Sequence, residues 1–238
     1  MRHYGIIGNP LTHSFSPGYF TQKFADEGID ATYCAYEIPD LSNIATIMKQ
    51  LYGFNVTYPY KELILPHLHS VDSVAAKIGA VNVVCNGKGY NTDWLGFLQS
   101  IKPHLLPEDK MVLVLGTGGV SKAVQYALDV LGLRYTVVSR NPQGNAIAYS
   151  DLTPECIAMH TVIVNCTPLG MFPEVDTLPD IPYNYLTNSH LLYDCVYNPE
   201  QTAFLREGSQ RGARTINGLQ MLHLQADEAW RIWTENNG

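Results

Sequence analysis

The sequence predicts an α/β protein with mostly parallel sheet, and three observations support that prediction. Short apolar runs rich in β-branched residues alternate with segments of helical periodicity along all 238 residues. Apolar residues make up 46% of the chain and charged residues 16%, which suits a chain that buries a core and excludes a disordered or fibrous one. The most apolar run, 111–115, leads into a glycine-rich turn and a helical segment.

Strands are predicted where short apolar runs are bounded by turn residues. These runs lie at residues 4–7, 32–37, 54–57, 81–86, 111–115, 135–139, 161–165, 191–194 and 213–216.

Helices are predicted between these strands from start signals and apolar spacing. Ser16 and Pro17 indicate a helix over about 17–27, because serine accepts a hydrogen bond from a free first-turn N–H and proline lacks that N–H. Apolar residues recur at helical spacing over 41–51 and 71–78. A long amphipathic helix over 219–233 ends the pattern and needs an apolar surface, which either domain could supply.

One segment interrupts the alternation. Residues 102–110 contain two prolines and several charges directly before the most strand-like run. We therefore place the domain boundary there.

Charge and hydropathy exclude several classes of function. The chain carries 15 basic and 22 acidic residues, for a net charge of −7, with the basic residues scattered, so we expect no nucleic-acid partner. No apolar run approaches the roughly 18 residues that indicate a membrane span. Residues 1–3 lead directly into the first strand without an apolar leader, which favours a cytoplasmic protein.

Neither the cysteines nor the histidines predict a metal site. Five cysteines without a Cys-x-x-Cys pair indicate no zinc site and no disulfide framework, and we interpret them as small apolar core residues. His67 and His69 lie two apart with no nearby residue that completes a ligand set, so we expect no metal.

The glycine-rich turn after residue 115 predicts a dinucleotide site. It comprises Gly116, Thr117, Gly118, Gly119 and Val120. Glycines there allow a tight turn and bring backbone N–H groups against a pyrophosphate at the positive end of a helix. Ser121 occupies the third fingerprint position, where glycine or alanine is usual, so the turn alone is also compatible with an ordinary strand-to-helix connection.

The next strand ends in Ser139, Arg140 and Asn141, where a dinucleotide fold places its ribose-reading residue. An acidic residue there would accept from a ribose 2′-hydroxyl, whereas arginine suits a 2′-phosphate through its charge and forked donors. Arg140 therefore favours NADP over NAD, although a strand-end arginine can also be merely solvated.

Four polar clusters follow strands of the first half of the chain, at 8–17, 55–61, 80–82 and 91–97. Their hydroxyls, amides, lysine and aspartate suit a small, highly hydroxylated substrate, because each buried hydroxyl needs a donor and an acceptor. Taken singly, Ser16 and Asp93 could be helix caps and Lys61 a surface lysine.

Together with later motifs, these clusters resemble the shikimate dehydrogenase family over nearly the whole chain. The matching motifs are Gly8-Asn-Pro with Ser14-x-Ser16-Pro17, Asn55-Val-Thr-x-Pro-x-Lys61, Ala80-Val-Asn82, Asn91-Thr-Asp93-x-x-Gly96-Phe97, Asn165-x-Thr167-Pro168-x-Gly170-Met171, Asp194-x-x-Tyr197-Asn-Pro199 and Gly218-x-x-Met221-Leu222-x-x-Gln225-Ala226.

The resemblance implies two α/β domains: a substrate domain formed by 1–103 with 217–238, and a Rossmann-type, doubly wound NADP-binding domain at 104–216. It implies Lys61 and Asp93 as the catalytic pair. The implied substrate contacts are Ser14, Ser16, Thr57, Asn82, Thr92, Tyr197 and Gln225. The implied cofactor contacts are the turn 116–120, Ser139, Arg140, Asn141, Cys195 and Gly218.

The implied activity is the NADP-dependent, reversible reduction of 3-dehydroshikimate to shikimate in aromatic amino-acid and chorismate biosynthesis, by a monomer or homodimer. Lys61 suits it, because hydride transfer to a ketone leaves an oxyanion that needs a proton, and Asp93 would hold the lysine charged. Two alternatives stay open. One is a quinate/shikimate dehydrogenase that uses NAD or both cofactors, and the other is a non-catalytic ligand sensor, against which the intact Lys61 and Asp93 count.

The sequence departs from the family pattern at three places. Phe20-Thr21 stands where the family usually has His-Asn, and Val83 follows Asn82 where threonine is common. After Arg140, residues 141–144 lack the second basic residue frequent in members that prefer NADP. The third departure leaves one cation for the 2′-phosphate.

Overall fold

The computed structural model describes residues 1–12 and 14–235. Their packing divides the chain into two compact units. The first unit contains residues 1–92 and the chain from 226 onward, and the second contains residues 93–225. The sequence-derived limits of 1–103 with 217–238 and 104–216 stay a prediction about the functional domains.

The sheet of the first unit has six strands in the order β2-β1-β3-β5-β6-β4. Strands β1, β2 and β3 are parallel, whereas β5 runs antiparallel to both β3 and β6. The strands are β1 (Arg2–Gly8), β2 (Ala31–Glu37), β3 (Gly53–Val56), β4 (Ser70–Val71), β5 (Val83–Cys85) and β6 (Lys88–Tyr90). The helices are α1 (Ser16–Asp26), α2 (Ile44–Gln50), α3 (Tyr60–Leu63) and α4 (Ser73–Ile78).

The sheet of the second unit has six strands, all parallel to their neighbours, in the order β12-β11-β10-β7-β8-β9. The strands are β7 (Met111–Leu115), β8 (Arg134–Ser139), β9 (Ile147–Ala148), β10 (Val162–Asn165), β11 (Leu191–Asp194) and β12 (Arg214–Ile216). The helices are α5 (Asp93–Ile101), α6 (Gly119–Leu131), α7 (Pro154–Met159) and α8 (Ala203–Gln210), and α9 (Leu219–Glu235) begins in this unit and continues in the first. This order is that of a doubly wound dinucleotide-binding sheet, whose ligand crevice lies where the order reverses, between β7 and β10.

Helix α9 belongs to both units by its packing. Met221 lies in the core of the second unit, whereas Ala226, Ala229 and Trp233 lie in the core of the first. Trp233 donates from Nε1 to the carbonyl of Val84 at 3.0 Å. The apolar surface that the sequence requires for this helix is thus supplied in two parts.

The strand predicted over 81–86 is wrong at both ends. It begins only at Val83. It stops at Cys85, and Asn86 and Gly87 turn the chain back into β6 with φ values of 49° and 73°. Asn-Gly is a favoured pair for a two-residue hairpin turn because both positions need positive φ. The short strands β4, β6 and β9 were not predicted.

Three predicted helix starts are also wrong. Helix α2 begins at Ile44 and not at residue 41. Helix α1 begins at Ser16, with Phe15 as the capping residue and no side-chain capping bond, so Ser16 does not cap the first turn. Helix α4 begins at Ser73, because the carboxylate of Asp72 accepts from the N–H of Val74, and Val71 lies in β4. Proline at the first turn of α1 is confirmed.

One cysteine contradicts the prediction that all five are core residues. Cys34 is exposed and Cys85 is buried, whereas Cys156, Cys166 and Cys195 are partly exposed.

Candidate active site

Polar side chains of the first unit form a buried chain of hydrogen bonds that begins at Ser16. Its hydroxyl bonds to the phenol of Tyr33, which donates to Oδ1 of Asn55 at 2.6 Å. Asn55 in turn donates to the carbonyl of Asn82 at 3.2 Å. Burial raises the pKa of Tyr33 well above its usual value, and the hydrogen bond with Ser16 lowers it by less. Tyr33 is therefore neutral, and its phenol links Ser16 to Asn55.

The same chain continues to Thr92. Oδ1 of Asn82 accepts from the N–H of Thr92 at 2.7 Å, and Nδ2 donates to the Thr92 hydroxyl at 3.0 Å. Both residues are buried, at 3% and 1% exposure. Three of the predicted substrate residues, Ser16, Asn82 and Thr92, therefore belong to one connected network, through Tyr33 and Asn55 as intermediates.

Lys61 lies on α3 and is half-buried. Its carbonyl accepts from the N–H of Val81 at 2.7 Å, which ties the lysine backbone to the residue before Asn82. Thr57 follows β3 and donates its N–H to the carbonyl of Ile7. A methyl group on Gly8 would lie 2.4 Å from Cγ2 of Thr57, so this close approach requires glycine.

Ser14 is half-buried and donates its N–H to Leu11 at 3.0 Å. Asp93, Tyr197 and Gln225 belong to the second unit. Asp93 begins α5 and is buried, and Gln225 is buried on α9. A methyl group on Gly96 would lie 2.7 Å from the Met221 carbonyl and 3.2 Å from the Gln225 backbone nitrogen, so glycine lets α5 and α9 pack closely beside Gln225.

The glycine-rich turn connects β7 to α6. Gly116 has φ of +104°, which favours glycine, and Gly118 begins α6 as its capping residue. A methyl group on Gly118 would meet nothing within 4 Å, so the turn is open at this position. Ser121, the variant position, is fully buried and donates to the Gly116 carbonyl at 2.7 Å. The serine therefore fastens the helix to the turn.

The residues directly after β8 differ in exposure. Ser139 is buried and accepts from the N–H of Asn141 at 3.2 Å, and Arg140 is exposed. An open cavity of about 450 Å³ adjoins the turn. It is lined by Thr117, Lys122, Gln125, Tyr135, Thr136, Val137, Gln143, Asn145 and Ala146. Lys122 lines this cavity but was not among the predicted site residues. Its position on α6, three residues after Gly119 of the turn, is the sequence feature that could have indicated it.

The carboxyl ends of β10 and β11 are joined through Asp194. Its carboxylate accepts from Asn165 at 3.0 Å, from the N–H of Val196 at 3.0 Å and from the Thr202 hydroxyl at 2.6 Å. Burial raises the pKa of Asp194 to about 7, although these hydrogen bonds act in the opposite direction.

This raised pKa predicts a stability that depends on pH. Between about pH 4 and pH 7, the folded chain keeps the Asp194 proton whereas the unfolded chain has lost it. The contribution of Asp194 to the free energy of unfolding is therefore full below about pH 4 and is lost as the pH rises through about 7. We expect the free energy of unfolding to fall by up to about 1.4 kcal/mol per pH unit across that range. Denaturant unfolding of the protein and of Asp194→Asn at several pH values measures the difference, with Asp180→Asn, an exposed carboxylate of the same unit, as control. A constant difference between the protein and Asp194→Asn would contradict the assignment.

Cys195 and Gly218 approach each other closely. Gly218 donates its N–H to the Val196 carbonyl at 3.1 Å, and a methyl group on it would lie 2.4 Å from the Cys195 carbonyl oxygen. Tyr197 is half-buried in the segment after β11. Cys195, Gly218 and the turn thus lie along the carboxyl edge of one sheet, where doubly wound proteins bind their ligands.

No group of three or more His, Cys, Asp or Glu side chains suited to a metal ion occurs within residues 1–12 and 14–235. Over the same residues, no helix is long and apolar enough to cross a membrane.

The doubly wound sheet and its glycine-rich turn define a dinucleotide-binding α/β protein, to which the first unit adds a buried network of hydroxyl and amide groups. Residues 6–84 match the family model described as the shikimate dehydrogenase substrate binding domain. The chain is 35% identical to the shikimate dehydrogenase (NADP(+)) of Desulforamulus reducens over 97% of this chain and 89% of that protein.

Two solved structures are also similar. The shikimate 5-dehydrogenase of Thermus thermophilus in complex with NADP(H) and shikimate has a TM-score of 0.88 and 32% identity, covering 99% of this chain and 94% of that one. The shikimate 5-dehydrogenase of Listeria monocytogenes in complex with shikimate and NAD has a TM-score of 0.84 and 28% identity, covering 99% and 92%. The chain belongs to the shikimate dehydrogenase family, which confirms the resemblance identified from its motifs.

Proposed function

We propose that this protein catalyses the NADP-dependent, reversible reduction of 3-dehydroshikimate to shikimate, in the pathway to chorismate and the aromatic amino acids. The observation that carries the proposal is the buried network that joins Ser16, Asn82 and Thr92 through Tyr33 and Asn55. A network with fixed donors and acceptors suits a ring whose hydroxyls must all be satisfied once water is removed. Family membership supports the same substrate.

The proposed roles follow from charge and hydrogen-bonding capacity. Ser14 and Ser16 hold the substrate carboxylate as hydroxyl donors, for which Ser16 turns its hydroxyl proton from Tyr33 to the substrate. Thr57, Asn82, Thr92, Tyr197 and Gln225 contact the rest of the substrate. Lys61 gives a proton to the oxygen formed on reduction and takes it back in reverse, while Asp93 orients the lysine and favours its charged form.

The turn 116–120 supplies the cofactor's pyrophosphate site, and Cys195 and Gly218 line its nicotinamide side. The cofactor, when bound, supplies the hydride for reduction and accepts it for oxidation. The open space beside Gly118 and the positive φ of Gly116 fit this group.

Ser139, Arg140 and Asn141 form the proposed 2′-phosphate site. The loop after Arg140 lacks a second basic residue, and Lys122 lines the cavity that Gln143 and Asn145 of that loop also line. We therefore propose Lys122 as the second cation for this phosphate. Two cations would favour NADP through charge alone.

Replacing Arg140 with alanine tests the preference. We expect Arg140→Ala to raise the KM for NADPH by about tenfold, because one hydrogen bond to a charged group contributes on the order of 1.5 kcal/mol. The KM for NADH should change by less than about twofold, since NADH lacks the 2′-phosphate. Steady-state kinetics with both cofactors measure the effect, and Lys122→Ala should show the same selective change. An equal rise for both cofactors would contradict the phosphate site.

A quinate/shikimate dehydrogenase that uses NAD is the second candidate. The missing second basic residue after Arg140 favours it, and the Listeria relative was crystallised with shikimate and NAD. A non-catalytic sensor would need no lysine and aspartate pair, and both residues are present.

One assay separates these readings. Purified protein is mixed with shikimate or quinate and with NADP or NAD, and formation of the reduced nicotinamide is followed by its absorbance. Turnover mainly with shikimate and NADP is expected. Comparable activity with quinate or NAD would favour the second candidate, and no activity in all four mixtures would favour the sensor.

Three wider properties complete the proposal. The functional domains are 1–103 with 217–238 for the substrate and 104–216 for the cofactor. The protein acts in the cytoplasm, as a monomer or homodimer, on a small molecule rather than on nucleic acid or a membrane.

A further inference from the structure

Two thiols lie side by side in the second unit, at the carboxyl edge of its sheet. Sγ of Cys166 and Sγ of Cys195 are 3.9 Å apart. Each cysteine directly follows a strand, and the last paired residues of these strands are Asn165 and Asp194. The Cys195 N–H donates to the Asn165 carbonyl at 2.9 Å, so the parallel ladder continues to the cysteines. Parallel neighbours lie about 4.8 Å apart, and disulfides join Cα atoms about 4.4–6.8 Å apart, so a bond needs little backbone movement.

We propose that Cys166 and Cys195 form a reversible oxidation site, which closes to a disulfide with hydrogen peroxide as oxidant. One thiolate attacks a peroxide oxygen and becomes a sulfenic acid as the O–O bond breaks, and the departing hydroxide takes up the proton that the thiol released to give the first water. The second thiol then attacks that sulfur, the S–S bond forms, and the second water carries away the sulfenic oxygen. Two thiols are oxidised by two electrons in total, and one peroxide is reduced to two waters.

Both thiols take part in the reaction. The contact with Cys166, followed by burial, raises the pKa of Cys195, so this thiol loses its proton less readily than a free cysteine does. Either sulfur can carry the sulfenic acid that the other thiol then attacks. Both residues are partly exposed, so a small peroxide can reach them.

The other cysteines offer matched comparisons. Cys34 is exposed and belongs to the first unit, and Cys85 is buried there. Cys156 lies on α7, where its sulfur is 3.7 Å from Nδ1 of His160. Among the residues that the structure describes, the contact of 3.9 Å between two cysteine sulfurs is thus specific to Cys166 and Cys195.

A disulfide at this position would disturb the proposed cofactor site. The Cys166 N–H donates to the Leu115 carbonyl at 2.9 Å, directly before the turn. A methyl group on Gly116 would lie 3.5 Å from the Cys166 carbonyl, and one on Gly218 would lie 2.4 Å from that of Cys195. Drawing the sulfurs from 3.9 Å to about 2.05 Å needs only a small backbone shift, but the backbone of both cysteines lies so close to these glycines that a small shift reaches them. We therefore expect weaker NADPH binding, a consequence that rests on the proposed function, whereas formation of the disulfide does not.

Peptide mapping tests the disulfide itself. The protein and its Cys34→Ser, Cys166→Ser and Cys195→Ser variants are treated with hydrogen peroxide, alkylated and digested without reduction. In the protein and in Cys34→Ser we expect a peptide pair joined between residues 166 and 195, with two thiols lost and both restored by dithiothreitol. Neither Cys166→Ser nor Cys195→Ser should give this joined peptide pair. Over-oxidation of Cys166 without a link, or a link to a different cysteine, would overturn the proposal.

A binding measurement tests the consequence separately. NADPH is titrated by its fluorescence into reduced and oxidised protein, and we expect the oxidised form to bind at least about fivefold more weakly, a typical coupling between two sites. Because coupling is reciprocal, saturating NADPH should hinder disulfide formation by the same factor at equilibrium. A mapped disulfide with unchanged NADPH affinity would refute the cofactor consequence, and failure of NADPH to bind the reduced protein would count against the proposed function instead.

Discussion

Lys61→Ala is expected to lower kcat for shikimate oxidation by about 10³-fold while the KM for shikimate changes by less than about threefold. The lysine would act mainly in the transition state, where the proton moves and charge develops on the ring oxygen, so its loss affects turnover more than binding. Steady-state kinetics with saturating NADP measure both constants.

Lys77→Ala provides the matched control. Lys77 is an exposed lysine on α4 of the same unit, so its removal changes the net charge equally without touching the proposed site. Its kinetic constants should stay within about twofold of the unaltered protein. A Lys61→Ala variant with raised KM and unaltered kcat would make this lysine a binding residue, and full activity would remove it from the mechanism.

Gly118→Val is expected to raise the KM for NADPH by about 10- to 100-fold while the protein stays folded. The added side chain would occupy the space in which the pyrophosphate approaches the turn, and losing one or two hydrogen bonds to a charged group gives an effect of this size. Stability should change by no more than about 1 kcal/mol, because the backbone is extended at φ −75° and ψ −178° and nothing lies within 4 Å of the new Cβ.

Kinetics with varied NADPH and a denaturant unfolding curve separate the two effects. Gly18→Ala is a suitable control, since a methyl group there also meets nothing within 4 Å and the residue lies on α1 of the other unit. An unaltered KM for NADPH in Gly118→Val would show that the turn does not hold the pyrophosphate. A large loss of stability would mean that the chain itself uses the space.

Local sequence patterns were sufficient to predict the features that depend on local backbone geometry. The strands at 111–115 and 191–194 have the predicted bounds, because short apolar, β-branched runs favour buried parallel strands. The glycine-rich turn lies between β7 and α6 as predicted, and the family membership follows from motifs that are long and polar. The hairpin at Asn86-Gly87 was also visible in the sequence as a favoured turn pair, although the apolar run before it concealed the break.

Sequence patterns did not predict the role of a side chain whose partners are far away along the chain. Phe20, one of the predicted departures from the family pattern, is fully buried and stacks on Tyr33 with ring centroids 4.6 Å apart. Tyr33 itself matched no motif, yet it links Ser16 to Asn55. Spacing along the chain cannot reveal such contacts, because they join residues on different elements.

The sequence by itself determined the α/β class, the dinucleotide turn and the family, since these depend on periodicity, on glycine conformation and on residues in a fixed order. Only the tertiary structure decided which groups meet. It brought the thiols of Cys166 and Cys195 to 3.9 Å across 29 residues, and it buried Asp194 deeply enough to raise its pKa to about 7. The physical reason is that desolvation and thiol proximity depend on how separate strands pack, and no local pattern encodes that distance.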